Sequence, residues 1–213
     1  MRNQPSYYSY QEERLNVISH AIGFGLSLAG LIFILVKSIS TEEALKIISS
    51  TVYALSMIIL YGASTFYHYS KSRRLRYKLN ILDHAAIYVL IAGTYTPFTL
   101  ITLSGSTGVT LFISVWLMAI VGVVLKLFYT GKFKLLSTIM YVLMGWLVIF
   151  AIKPLVQNLD ISGVYLLFGG GLAYTLGAIL FMFDKIKFNH AIFHIFVLVG
   201  SFFHFLAIYF YVI

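Results

Sequence analysis

The chain has 213 residues, of which 60% are hydrophobic and only 10% are charged, and its mean hydropathy is +0.91. A water-soluble domain needs roughly a quarter of its residues charged to cover its surface, so this composition excludes a soluble protein. The net charge of +8 does not indicate nucleic-acid binding, because Lys and Arg lie between apolar runs rather than along one polar face. Cysteine is absent, so a metal would have to be held by His, Asp or Glu.

Apolar runs of about 20 residues are typical of transmembrane helices, and the sequence contains seven of them in chain order. The first 14 residues lack the basic start and the cleavage site of a signal peptide, so we expect the first helix to stay in the mature protein. The prediction is an all-α integral membrane protein, with an N-terminal segment over residues 1–15 and a single seven-helix transmembrane domain over 16–213. The predicted spans are approximately 17–36, 45–68, 82–103, 109–128, 136–152, 164–182 and 191–212.

The distribution of basic residues predicts the orientation of the bundle. On one side lie Arg2, Arg14, Lys71, Arg73, Arg74, Arg76, Lys78, Lys126, Lys132, Lys134, Lys185 and Lys187; on the other lie Lys37, Lys46 and Lys153. Short loops rich in Lys and Arg stay in the cytoplasm. The sequence therefore predicts a cytoplasmic N-terminus and an external C-terminus.

Ionisable side chains are costly inside a membrane, and they are by default candidates for function. The candidates in or next to the predicted spans are His20, His68, Asp83, His84, His190, His194 and His204. The predicted topology places five of these at the cytoplasmic ends of four helices, with Asp83 opening the third span. His84 and His204 are the exceptions, and we expect both to form hydrogen bonds to the protein rather than to bind a metal.

The spacing of His190 and His194, four residues apart, places both imidazoles on one helix face, as in helical metal sites. His68 is the best third ligand, which would leave one tetrahedral position open, as catalytic zinc requires. Ser64 lies one turn before His68, and Asp83 is close enough in depth to act as a base. A buried hydrogen-bond network would also collect histidines at one depth, so spacing alone leaves both interpretations open.

Three further features are predicted to be structural. Gly169, Gly170 and Gly171 are expected to permit close helix packing, and Pro97 is expected to kink the third helix. The basic run Lys71 to Lys78 is interpreted as a topology determinant with some attraction to anionic headgroups.

Three motifs stand out in the sequence: Glu13-x-x-Asn16-x-x-x-His20, then Ser64-x-x-x-His68 followed by Asp83, and His190-x-x-x-His194. With these motifs the chain resembles the hemolysin III family, the bacterial branch of the adiponectin-receptor-like (progestin and adipoQ receptor) membrane proteins. The resemblance covers nearly the whole chain. It implies a seven-helix bundle in the bacterial cytoplasmic membrane, with zinc held by His68, His190 and His194 and with a water as fourth ligand. It also implies that Asp83 contacts that water and that Ser64 supports it.

The leading functional hypothesis is an intramembrane zinc hydrolase that acts on a lipid amide or ester in membrane-lipid homeostasis. One alternative is a non-enzymatic lipid sensor or receptor in which zinc is structural. Another is a cytolytic pore, against which the lack of a repeating polar stripe argues. A membrane lipid is the expected partner, nucleic acid is not, and the oligomeric state is left open.

Overall fold

The structure is a computed structural model that describes residues 8–103 and 105–213, so Arg2 of the charge count lies outside the described residues. Its regular structure is helical. The helices are α1 (Tyr10–Ile39), α2 (Ala44–Tyr69), α3 (Arg73–Pro97), α4 (Ser106–Tyr129), α5 (Lys134–Gly145), α6 (Ile152–Asn158), α7 (Ile161–Phe181) and α8 (Asn189–Tyr211).

Seven spans of these helices are long and apolar enough to cross a membrane, which confirms the predicted fold class. Six of the spans are single helices or, for α3, a helix with a short extension. The fifth, Lys134–Asn158, consists of α5, a tight 3-10 turn over Leu147–Ala151, and α6. The membrane-spanning part of the chain is thus a bundle with two irregular turns inside it.

Two helices begin well before the predicted spans. The first predicted span began at residue 17, whereas α1 begins at Tyr10, where the Ser9 side chain accepts a hydrogen bond from the Glu12 amide. The third predicted span began at residue 82, whereas α3 begins at Arg73. The expectation that Asp83 opens the third helix was therefore wrong. These first turns are polar, so a search for apolar runs misses them.

The bundle is arranged around α3, which is the most buried of the seven spans. The helices α1 and α2 pack against each other, as do α7 and α8, and α8 also packs against α1. Large apolar side chains such as Leu26, Phe128 and Phe150 face outward. In a bilayer, lipid tails would cover these side chains.

Pro97, which was predicted to kink the third helix, is the last residue of α3. A π-helical turn over Phe98–Thr102 follows the proline directly. Gly108 of α4 packs against this turn so closely that a Cβ atom there would lie 2.2 Å from the carbonyl oxygen of Thr99. The glycine therefore permits α4 to contact the carbonyl groups that the irregular turn exposes.

Close packing of α7 against α8 depends on Gly170, one of the three consecutive glycines. A Cβ atom at Gly170 would lie 2.3 Å from the His204 ring, whereas one at Gly169 or Gly171 would make ordinary contacts. The Nε2 atom of His204 lies 3.0 Å from the carbonyl oxygen of Leu167 in α7. This is the interhelical hydrogen bond expected for His204, and Gly170 makes room for the ring.

Candidate metal centre

The predicted trio His68, His190 and His194 comes together at the end of the bundle where α1 begins. His68 is the penultimate residue of α2, and the other two lie in the first two turns of α8. Nε2 of His190 lies 3.1 Å from Nε2 of His68 and 3.0 Å from Nε2 of His194. All three side chains are buried, and one ligand atom from each lies within 4.8 Å of the others.

This geometry fits a metal ion. Three nitrogens at Zn–N distances of about 2.0 Å in a tetrahedral site lie about 3.3 Å apart, close to the separations of the Nε2 atoms. Carboxylate oxygens accept hydrogen bonds, so His68 carries its proton on Nδ1, which lies 2.8 Å from Oε2 of Glu13. The Nε2 lone pair of His68 therefore points to the centre of the cluster.

The Nε2 lone pair of His194 points to the same centre, by an assignment from the hydrogen-bond network. The Ser19 hydroxyl donates to the carbonyl oxygen of Asn16, so it accepts a hydrogen bond from Nδ1 of His194 at 3.3 Å. Nε2 of His190 has at most one proton, so it cannot donate a hydrogen bond to the Nε2 lone pairs of both His68 and His194. A cation at the centre would satisfy all three nitrogens.

Glu13 of α1 ties His68 to a buried arginine. One carboxylate oxygen accepts the hydrogen bond from His68, and the other accepts one from Arg76 of α3. Nδ2 of Asn16 lies 3.4 Å from Nδ1 of His68. A carboxylate behind a histidine fixes the ring orientation and makes the imidazole a stronger ligand. The sequence indicated no role for the motif residues Glu13 and Asn16. In the structure both contact Nδ1 of His68, on the side of the ring away from the cluster.

Arg76 belongs to the basic run that was interpreted as a topology determinant with some attraction to headgroups, but this residue contacts the protein instead of headgroups. Its side chain is buried, and its guanidinium also donates to the carbonyl oxygens of Tyr67 and His68 at 3.2 and 3.3 Å. These carbonyls lie in the last turn of α2, where the Tyr67 carbonyl oxygen also accepts a hydrogen bond from the Ser70 amide. Arg76 therefore caps the C-terminal end of α2, the helix that contains His68, and holds Glu13 next to His68.

Aromatic rings pack against the other two histidines. The His20 ring of α1 stacks on His194 with a centroid distance of 3.5 Å and an interplanar angle of 10°. Tyr8 stacks on His190 at 4.6 Å and 16°. Burial raises the pKa of the Tyr8 phenol, so this ring stays neutral. The sequence did not predict the role of Tyr8, because no spacing pattern links it to α8.

Asp83 is the predicted base, and Ser64 is the residue predicted to support the metal-bound water. Both lie at the same end of the bundle as the histidines. Asp83 lines the same cavity as His190 and His194 and is nearly buried. Ser64 is fully buried one turn before His68, and its hydroxyl forms no hydrogen bond with any residue of 8–103 or 105–213. His84 contacts the Asn80 carbonyl oxygen at 2.9 Å and is not one of the three clustered histidines, as expected.

A cavity of about 440 Å³ extends into the bundle from His190 and His194. Its polar end contains Asp83, His190 and His194, and its wall includes His204 at the far end of α8. Fourteen residues separate His190 from His204, which corresponds to about 21 Å of helix. Most of the wall between is apolar, with side chains such as Leu90, Phe98, Leu111, Leu167 and Val197. The cavity has the length and the polarity pattern of a lipid chain with a polar end.

The fold and the site define a class of protein: a seven-span helical membrane protein with a buried three-histidine group that could hold a metal. The chain belongs to the haemolysin-III related family, whose model matches residues 8–205. This confirms the resemblance drawn from the three motifs.

Three relatives show how far the similarity extends. The chain is 46% identical to Hemolysin-3 of Bacillus cereus over 203 residues, covering 95% of this chain and 93% of the relative. It is 45% identical to a Hemolysin-3 homolog of Bacillus subtilis (strain 168) over 204 residues, covering 96% of each. The human monocyte to macrophage differentiation factor is 29% identical over 174 residues, covering 79% of this chain and 72% of that protein. The family thus includes bacterial proteins and distant relatives of the adiponectin-receptor type.

Proposed function

We propose that His68, His190 and His194 bind zinc and that the protein is an intramembrane hydrolase of a lipid amide or ester. The single observation that carries the proposal is that His190 and His194 of the three-histidine group line a long, mostly apolar cavity. A purely structural zinc site has four protein ligands and needs no cavity. Among residues 8–103 and 105–213 the cluster consists of three imidazoles, a set that matches the ligands of catalytic zinc enzymes.

Zinc in such a site supplies Lewis-acid polarisation of a carbonyl group and lowers the pKa of a water toward about 7. The residues of this chain supply the rest of the chemistry. Asp83 accepts a proton from the attacking water and returns it to the leaving amine or alcohol. Ser64, whose hydroxyl is buried beside His68, donates a hydrogen bond to the reacting oxygen.

The apolar wall positions the substrate and excludes water. An acyl chain in the cavity would place its carbonyl group at the polar end, beside Asp83 and the histidines. Water excluded from this end cannot weaken the electrostatic interactions that stabilise developing charge. The helix bundle therefore binds the acyl chain of the substrate along its length and places the reacting groups at the carbonyl end of that chain.

The proposed setting is the bacterial cytoplasmic membrane, with the N-terminus in the cytoplasm. The bias of Lys and Arg toward one set of loops supports this orientation. The metal centre then lies on the cytoplasmic side, because α1 begins at the same end of the bundle. A substrate would enter from the cytoplasmic leaflet or between helices.

Fatty-acid release from defined lipids tests the proposal. Purified protein loaded with zinc would be incubated with ceramides, lysolipids and phospholipids, next to protein stripped with a chelator and protein reloaded with zinc. We expect release from at least one lipid class, loss on stripping and recovery on reloading. Zinc binding with no release from any lipid would contradict the hydrolase and favour a lipid sensor with the same metal site.

A further inference from the structure

A buried lysine lies in the wall of the cavity and has no part in the chemistry above. Lys126 lies in the last turn of α4, and only 4% of its surface is exposed. It lines the same cavity as Asp83, His190 and His194. The orientation prediction counted it among the basic residues around the loop after α4, and the sequence did not indicate that its side chain is buried.

The partners of Lys126 do not neutralise its charge. Its Nζ atom donates to the hydroxyl of Ser137 in α5 at 2.6 Å and lies 5.8 Å from the centre of the Tyr141 ring. Within residues 8–103 and 105–213 it forms no ion pair. Two other cations near this end are paired, since Arg76 contacts Glu13 and Lys134 lies 2.6 Å from Asp184. A buried ammonium group without an anion is unfavourable, so Lys126 is positioned to bind one.

The position of Lys126 places that anion at the polar end of the cavity. The Tyr141 hydroxyl, near Lys126, donates to the carbonyl oxygen of His84 at 3.0 Å, and His84 adjoins Asp83 in α3. Lys132 also lines this end, whereas the charge of Lys134 is balanced by Asp184, which lines the cavity as well. Lys126 and Lys132 therefore make the α4–α5 side of the polar end positive, while the wall beyond it is apolar.

We propose that Lys126 binds the negatively charged headgroup, a carboxylate or a phosphate, of an acidic lipid whose chain occupies the apolar part of the cavity. The inference rests on the proposed function in taking this cavity as the substrate site, and it narrows the substrate to acidic lipids. Binding requires neither turnover nor metal. It is therefore tested separately from hydrolysis.

Quenching of Trp146 by a brominated chain provides the measurement. Trp146 lines the cavity, whereas Trp116, the other tryptophan, lies outside its wall, so a Trp116→Phe background reports from Trp146 alone. The probes are 9,10-dibromostearic acid and its uncharged methyl ester, titrated into metal-free protein in a neutral detergent. Lysophosphatidic acid and inorganic phosphate serve as unbrominated competitors.

The charged probe is expected to bind the parent about tenfold or more tightly than the ester, the usual effect of a hydrogen bond to a charged group. Lys126→Met should remove that preference and leave ester binding unchanged, and Lys126→Arg should restore it. Lys153→Met, an exposed lysine outside the cavity wall, is the matched control and should bind as the parent does. Lysophosphatidic acid should displace the probe, and inorganic phosphate at the same concentration should not.

Three outcomes would overturn the proposal. Equal quenching of the parent by acid and ester would show that the charge is not recognised, and this comparison needs no variant that must fold. An undiminished preference in Lys126→Met would place the anion elsewhere. Displacement by phosphate as strong as that by lysophosphatidic acid would indicate a site for free anions. If the expected binding results are obtained while no lipid is hydrolysed, the proposed hydrolase activity is contradicted and the proposed binding of an acidic lipid is not.

Discussion

The carboxylate of Glu13 lies 2.8 Å from Nδ1 of His68, although 55 residues separate them in the sequence. The same carboxylate accepts a hydrogen bond from Arg76, so one acidic side chain joins α1, α2 and α3 behind a proposed metal ligand. The pair shows how α1 contributes to a site whose three histidines all lie on other helices. It also leads to a prediction that does not depend on hydrolysis.

Glu13→Gln should lower the affinity for zinc by about 10- to 100-fold, the usual effect of removing the hydrogen-bonded carboxylate behind a histidine ligand. The amide keeps the shape of the side chain but loses the charge that orients His68 and pairs with Arg76. Competition with a chelator of known affinity measures the change. Glu43→Gln, an exposed residue paired with Lys46, is the matched control. An unchanged affinity in Glu13→Gln would limit the role of Glu13 to packing.

Metal content tests the ligand set itself. We expect about one zinc per chain in the parent and loss of metal in His190→Ala and in His194→Ala, since two imidazoles do not hold zinc tightly. His84→Ala should keep the metal, because its ring contacts Asn80 rather than the cluster. Elemental analysis of the purified proteins gives the comparison, and full retention of zinc in both ligand variants would remove the assignment.

The cluster of His68, His190 and His194 was predictable from the sequence because each step depended on a local pattern. The spacing of His190 and His194 sets a shared helix face, and the alternation of apolar runs brings His68 to the same end of the bundle. The structure brings these three residues together as expected. Helix number followed from the apolar runs in the same way.

Partners from distant parts of the chain could not be predicted. Arg76 and Lys126 have the same residue types as the loop charges around them, and only the packing of helices shows that both are buried. The sequence contains Glu13, but nothing local links it to an arginine 63 residues later. The starts of α1 and α3 were missed because their first turns are polar and a search for apolar runs does not include them.

Gly170→Ala should destabilise the protein by about 1–3 kcal/mol, as overpacking of a tight interface usually does. The added methyl group would meet the His204 ring at 2.3 Å and the carbonyl oxygen of Gly200 at 3.0 Å. Gly169→Ala is the control, because its methyl group would lie 3.5 Å from Phe203 in ordinary contact. Thermal unfolding in detergent would compare them, and similar melting temperatures would show that α7 and α8 separate at little cost.

The charge bias predicts a cytoplasmic N-terminus and an external C-terminus. Reporter fusions at Met1 and Ile213, one type active only in the cytoplasm and one active only outside, test both ends independently. The two ends should give opposite signals because the number of spans is odd. Matching signals from both ends would rule out the odd count, and reversed signals would move the metal centre to the external side.

Asp83→Asn should keep zinc and abolish lipid hydrolysis. The change leaves the three histidines and nearly the same side-chain volume in place, but an amide cannot take up the proton that a carboxylate accepts. The expected loss of activity is about 10²-fold or more, the usual contribution of a positioned general base. Asp160→Asn is the matched control, because Asp160 caps α7 through the Ser162 amide and asparagine caps a helix equally well. Both variants would be compared with the parent for zinc content and for fatty-acid release from the same lipids. Equal release by Asp83→Asn and the parent would falsify the assignment of Asp83 as the base, and loss of zinc in that variant would give Asp83 a role in holding the metal.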